Sequence, residues 1–185
     1  ILGAIADHTG SKKRFMGTFV VMGVIFTGML FFIQQGDWLG AVIFYILGSI
    51  GEAGANIFYD SLLPHVARAE EIDQVSSRGY ALGYIGGGLL LAVNLLWYMK
   101  PEWFGFADSG IAVRASFLSV AVWWVVFAIP LFRRVPEPPA ASYDKRINAV
   151  RAGFERLAQT FREVRRYKEL AKFLLAFWLY SDGIG

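Results

Sequence analysis

There is no cysteine among the 185 residues. Disulfides, zinc fingers and thiol catalysis are therefore excluded, and cysteine usage says nothing about redox compartment. Charge is scarce as well. Asp, Glu, Lys and Arg make up 18% of the chain, against about 25% in an ordinary soluble domain. The two histidines, His8 and His65, form no spaced ligand set, so no metal is expected. No glycine-rich loop followed by Lys and Ser or Thr is present, so ATP is not expected to drive the protein, and no cofactor is implied. There is no initiator Met and no basic region leading into a short apolar stretch with a cleavage site. The chain stops at Gly185 inside an apolar run, so both ends read as cuts and an internal fragment is expected.

What is present is apolar. Hydrophobic residues make up 56% of the chain and aromatics 16%, with a mean hydropathy of +0.45. That composition excludes a disordered chain or a collagen. The pI of about 9.2 does not imply nucleic acid, because the basic residues sit in clusters between apolar runs, as in membrane proteins. A membrane helix needs about 20 mostly apolar residues. Four runs meet this, at 15–33, 38–63, 79–99 and 112–132, and another opens after Lys172. The expected fold is an all-α integral membrane bundle in contact with the lipid bilayer.

The loops fix the expected orientation. Lys12, Lys13 and Arg14 precede the first run, Arg68 and Arg78 lie in the third connection, and a basic segment runs from Arg133 to Lys172. Of the 18 Lys and Arg, all except Lys100 and Arg114 fall on one side, which is expected to be cytoplasmic. Trp38, Trp97 and Trp103 lie near the opposite ends of the spans, as interfacial aromatics do. Trp123 and Trp124 sit mid-span and read as packing or lipid contacts.

Val135-Pro136-Glu137-Pro138-Pro139 stops the fourth helix. Beyond it, Ile147, Val150, Phe154, Leu157, Phe161 and Val164 recur at spacings of three and four, among many basic residues. The spacing predicts an amphipathic helix at the membrane surface or across the bundle. A solvated linker and a partner-docking segment are the alternatives.

Ionisable groups inside a span are costly and are functional candidates by default. Tyr45, Ser49, Glu52, Asn56 and Asp60 fall within an arc of about 80° on one helix. Glu52 is mid-helix, and Asp60 lies about 12 Å further on, near the cytoplasmic end. The stripe either lines an aqueous cavity, with Glu52 binding solute or a proton, or bonds neighbouring helices. Gly79, Gly83 and Gly87, four residues apart, predict close helix packing, with a backbone exposed to a pathway or a bend during gating as the alternative, and Asn94 an interhelical donor. Asp182, between Ser181 and Gly183, reads as part of a broken helix near the midplane, where transporter sites form, or as a kink with a satisfied acid.

The segment Gly3-Ala4-Ile5-Ala6-Asp7-His8-Thr9-Gly10-Ser11-Lys12-Lys13-Arg14 resembles the loop between helices two and three of major facilitator superfamily transporters. Three further stretches look like the vacuolar amino-acid effluxer (autophagy-related permease) family and its bacterial relatives. They are Asn56 to Pro64, Ser77 to Gly88, and Tyr180 to Gly185. The resemblance covers the whole chain and implies a partial major facilitator-type bundle. Residues 1–132 would belong to the N-terminal half, with the spans as helices three to six. Residues 133–170 would be the cytoplasmic linker, and 171–185 the start of helix seven.

The implied function is secondary transport of a small solute by alternating access, with amino-acid efflux associated with fungal members. Protons are a candidate coupling ion. Glu52, Asn56, Asp182, Ser49 and Tyr45 would line the pathway. Asp7, Gly10, Lys12, Lys13 and Asp60 would form the cytoplasmic gate. Ser11 stands where the superfamily often has a basic residue, leaving Lys12 or Lys13 to pair with Asp60. In a bacterium the protein would be multi-pass in the inner membrane. An enzyme is not expected; the alternative is a receptor or scaffold acting through the basic linker helix.

Overall fold

The computed structural model describes residues 2–139, 154–155, 158–159, 162, 172–173 and 176–180. Asp182 and most of the amphipathic segment (Ile147, Val150, Leu157, Phe161 and Val164) lie outside the described residues. The chain divides into two units, residues 1–10 with 139–185, and Ser11–Pro138. In the first, helix α1 (Leu2–Thr9) ends at Gly10, whose φ of 59° is the left-handed conformation that favours glycine at a helix C-terminus.

The second unit holds four long helices: α2 (Lys12–Met29), α3 (Trp38–Val66), α4 (Ile72–Met99) and α5 (Ser109–Arg134). A 3₁₀ turn over Leu30–Phe32 extends α2, and another over Pro101–Phe104 precedes α5. No strand occurs among the described residues. All four helices are long and apolar enough to cross a membrane. At 29 residues, α3 is about 43 Å long, well beyond the roughly 30 Å hydrocarbon core.

The helices overrun the apolar runs that announced them. α4 starts at Ile72 rather than Gly79, and α5 at Ser109 rather than Ala112. A helix ends where its backbone is capped, not where its side chains turn polar. Asp37 caps α3 by accepting from the Gly40 N–H at 3.1 Å, and Asp108 caps α5 by accepting from the Ile111 N–H at 2.8 Å.

α2 packs on both α3 and α5, α4 packs mainly on α5, and α3 and α4 barely touch. The α2–α3 seam is the tightest. Gly48, Gly51 and Gly54 of α3 and Gly23 of α2 are buried in it, with Met16, Val20, Ala55, Phe58 and Leu62. A Cβ added at Gly51 would stand 2.4 Å from the Gly23 nitrogen and 2.5 Å from its Cα. This backbone contact leaves no room for a side chain at Gly51. The rings of Phe15 and Phe19 stack on Phe58, with centroids 5.5 and 5.9 Å apart.

The glycines of α4 behave otherwise. Among the described residues nothing lies within 4 Å of a Cβ at Gly83 or Gly87, and Gly79 meets only the Tyr59 hydroxyl at 3.4 Å. Within this unit the close approach is made by the glycines of α2 and α3. α4 buries no residue at all. It is tied to α5 by a hydrogen bond between the Ser119 hydroxyl and the Asn94 side-chain amide, 3.0 Å long. Ser119→Ala is expected to lower stability by only about 0.6 kcal/mol, the usual worth of an interhelical bond in a membrane, read as a small drop in the unfolding midpoint in detergent.

Large apolar side chains otherwise point outward. Val21, Ile25, Ile43, Ile46, Leu89, Val122 and Val126 are exposed, and no charged or polar side chain is buried among the described residues. Such apolar surface suits lipid or the packing of further membrane helices.

Candidate functional site

The polar stripe of α3 opens onto a groove of about 480 Å³. Four of its five members line it: Tyr45, Ser49, Glu52 and Asn56. Helical periodicity brings them there, since successive members are three or four residues apart. α2 adds Thr27 and Leu30, and α5 adds Phe117, Trp123, Trp124 and Phe127. Among the described residues Glu52 is the groove's single formal charge, and no Lys, Arg or His lines it.

Trp124 is set by the glycine seam. A Cβ at Gly23 would stand 2.4 Å from Trp124 Cη2 and 3.5 Å from the Glu52 backbone nitrogen. The bare backbone of Gly23 is thus the seat on which the indole lies beside Glu52. Trp123 packs against Phe127, with centroids 4.6 Å apart. Both tryptophans make the packing contacts read from the sequence, and both also line the groove. Asn56, Trp124 and Phe127 also line a smaller hollow of about 180 Å³ that continues along α3 to Tyr59 and along α5 to Phe132.

At that end the basic residues of α2 grip helix termini. Lys12 Nζ donates to the Ser61 carbonyl at 3.4 Å and lies 3.3 Å from His65 Nε2, both near the end of α3. Lys13 Nζ donates to the carbonyls of Phe132, at 3.1 Å, and Val135, at the end of α5. In return the Lys13 backbone N–H donates to Glu137 Oε1 at 2.8 Å. Cations at helix C-termini and an anion at an N-terminus both complement the helix dipole.

The expected pairing of Asp60 with Lys12 or Lys13 is not made. Asp60 Oδ1 instead accepts from the Tyr80 hydroxyl of α4 at 3.4 Å. Of the other expected gate residues, Asp7 is half-buried on α1 and Gly10 forms the turn after it, both in the first unit.

A family model described as "Vacuole effluxer Atg22 like" matches residues 1–185. The chain belongs to this family. An uncharacterized MFS-type transporter, YxiO of Bacillus subtilis (strain 168), is 39% identical over 187 residues, covering 100% of this chain and 43% of the relative. Autophagy-related protein 22 of Yarrowia lipolytica is 29% identical over 136 residues, 63% of this chain and 22% of the relative. That of Coccidioides immitis is 22% identical over 244 residues, 99% of this chain and 40% of the relative. The chain thus spans less than half the length of these curated relatives. No solved structure matches it. As an Atg22-like chain of major facilitator type, it is a multi-pass, all-α membrane protein.

Proposed function

We propose that the full-length protein is a secondary transporter working by alternating access, and that this chain supplies one wall of its pathway. The observation that carries the reading is the gathering of Tyr45, Ser49, Glu52 and Asn56 on one groove of a membrane helix. A mid-membrane carboxylate is costly unless it serves a pathway or a partner. The family adds support, since its members include transporters and effluxers by name. On this reading Asp182 contributes from the start of the other half, residues 133–170 form the cytoplasmic linker, and the basic loops face the cytoplasm. Lys12 and Lys13, with Asp7, Gly10 and Asp60, form the gate at that side. The solute is small, with amino acids the first to try and protons the candidate coupling ion. In a bacterium the protein would work in the inner membrane.

The test is counterflow in proteoliposomes holding the full-length protein. Preloaded unlabelled amino acid is expected to draw labelled amino acid inward against its gradient. In the full-length protein with any cysteine outside these residues replaced, Asn56→Cys also reports directly on the groove; this chain itself holds none. A membrane-impermeant maleimide is expected to label it from one side, at a rate that changes when solute is added. If no solute in a broad panel is exchanged and Asn56→Cys stays unreactive from both sides, the transporter reading fails.

A further inference from the structure

The groove's chemistry selects a charge. Among the described residues Glu52 is its single carboxylate, and no Lys, Arg or His lies on its walls. Within the same unit, Lys12 and Lys13 reach helix ends rather than the groove. A carboxylate in apolar surroundings is stable only with a cation or a proton beside it. The wall facing it is aromatic. Trp124 rests on Gly23 beside the Glu52 backbone, and Trp123 lines the same groove. Of the aromatic side chains, tryptophan offers a cation the most favourable face.

The remaining polar groups fit the same guest. An ammonium carries three N–H donors. Ser49 lies one turn before Glu52 and Asn56 one turn after it, and both line the groove. Their side-chain oxygens are acceptors for the protons that Glu52 does not take. Phe44, Phe117 and Phe127 provide apolar surface for the body of the molecule, and about 480 Å³ lies within the range of small-molecule sites. Among the described residues a carboxylate group would find no cationic partner on these walls, and Glu52 would repel it.

We infer that this groove binds organic ammonium solutes with an apolar body, the ammonium held by Glu52 against Trp123 and Trp124, and that it holds no solute carboxylate. The inference rests on the transporter reading and names the solute class of that site. A zwitterion would have its carboxylate held outside this groove.

The test is calorimetric titration of the purified full-length protein with phenethylamine, 3-phenylpropionate and L-phenylalanine, which share one apolar body. Phenethylamine is expected to bind at least about tenfold more tightly than 3-phenylpropionate, a difference of about 1.4 kcal/mol. Glu52→Gln and Trp124→Leu are each expected to weaken phenethylamine by roughly tenfold or more. Phenethylamine is also expected to protect Asn56→Cys from maleimide in an otherwise unaltered groove, a result that needs neither variant to fold. Equal binding of the carboxylate overturns the inference, as does amine binding unmoved by Glu52→Gln in a folded variant. So does an Asn56→Cys that no reagent reaches, because the groove is then filled by another part of the protein. Counterflow of a different solute class without amine binding would remove the ammonium assignment and leave transport standing. Amine binding with no flux of any solute would do the reverse.

Discussion

Gly51→Ala is expected to destabilise the full-length protein by about 3 kcal/mol, at the upper end of what overpacking a tight site costs. The new methyl would stand 2.4 Å from the Gly23 nitrogen, 2.5 Å from its Cα and 2.9 Å from the Phe19 carbonyl oxygen. All three are backbone atoms, so no side chain can swing away, and α2 and α3 must separate along their length. Separation would also loosen the stack of Phe15 and Phe19 on Phe58 and lift Trp124 from its seat on Gly23. Gly28→Ala is the matched control in α2. Its Cβ would meet only the Ala121 Cβ at 3.6 Å, an ordinary contact. Thermal unfolding in detergent, followed by size-exclusion profile, reads both. A Gly51→Ala protein that melts with the wild type would mean that the seam is not close-packed.

Glu52→Gln is expected to abolish solute flux, by at least about a hundredfold, while leaving the yield of folded protein unchanged or higher. The amide keeps the shape of the carboxylate and removes its charge. Truncating one partner of a desolvated charge pair costs about 2–5 kcal/mol, which sets the scale of the loss. Insertion should improve, because an acid at the centre of a membrane helix is penalised by several kcal/mol. Glu52→Asp keeps the charge and draws it back toward the helix, so partial flux is expected. Flux is measured in proteoliposomes at matched protein content. Wild-type flux in Glu52→Gln would move the chemistry to another residue, with Asp182 the next to substitute.

Much of this was legible in the sequence, and the parts that were not share a cause. Length and hydropathy announce four spans, and the angular arithmetic of α3 puts Tyr45, Ser49, Glu52 and Asn56 together on what is one groove wall. These are properties of single helices. What escaped depends on pairs. Gly79, Gly83 and Gly87 at intervals of four, and Gly48, Gly51 and Gly54 at intervals of three, are equally readable rows of small residues. Which row meets a neighbour is decided by which helices adjoin, and the row in α3 adjoins α2 while α4 leans on α5 through another face. Trp124 looks like any mid-span aromatic until Gly23 is found beneath it. Lys12 and Lys13 were expected to seek a carboxylate, yet their partners include main-chain oxygens at helix ends, which no residue letter marks. Asp60 finds the Tyr80 hydroxyl because α3 and α4 approach near that end.

The glycine seam also bears on how the protein enters the membrane. α2 carries a mean hydropathy of 2.1 over its best window, against 1.5 for α3, which holds the acids. The more apolar helix is synthesised first and can settle in lipid unaided. α3 follows after the short connection from Ile33 to Asp37 and meets a partner already cut to receive it, glycine against glycine. The two can therefore leave the insertion machinery as a hairpin, with the awkward carboxylate of Glu52 carried in by a docked pair rather than by a lone helix. α4 and α5 would join a template that the ribosome had already laid down.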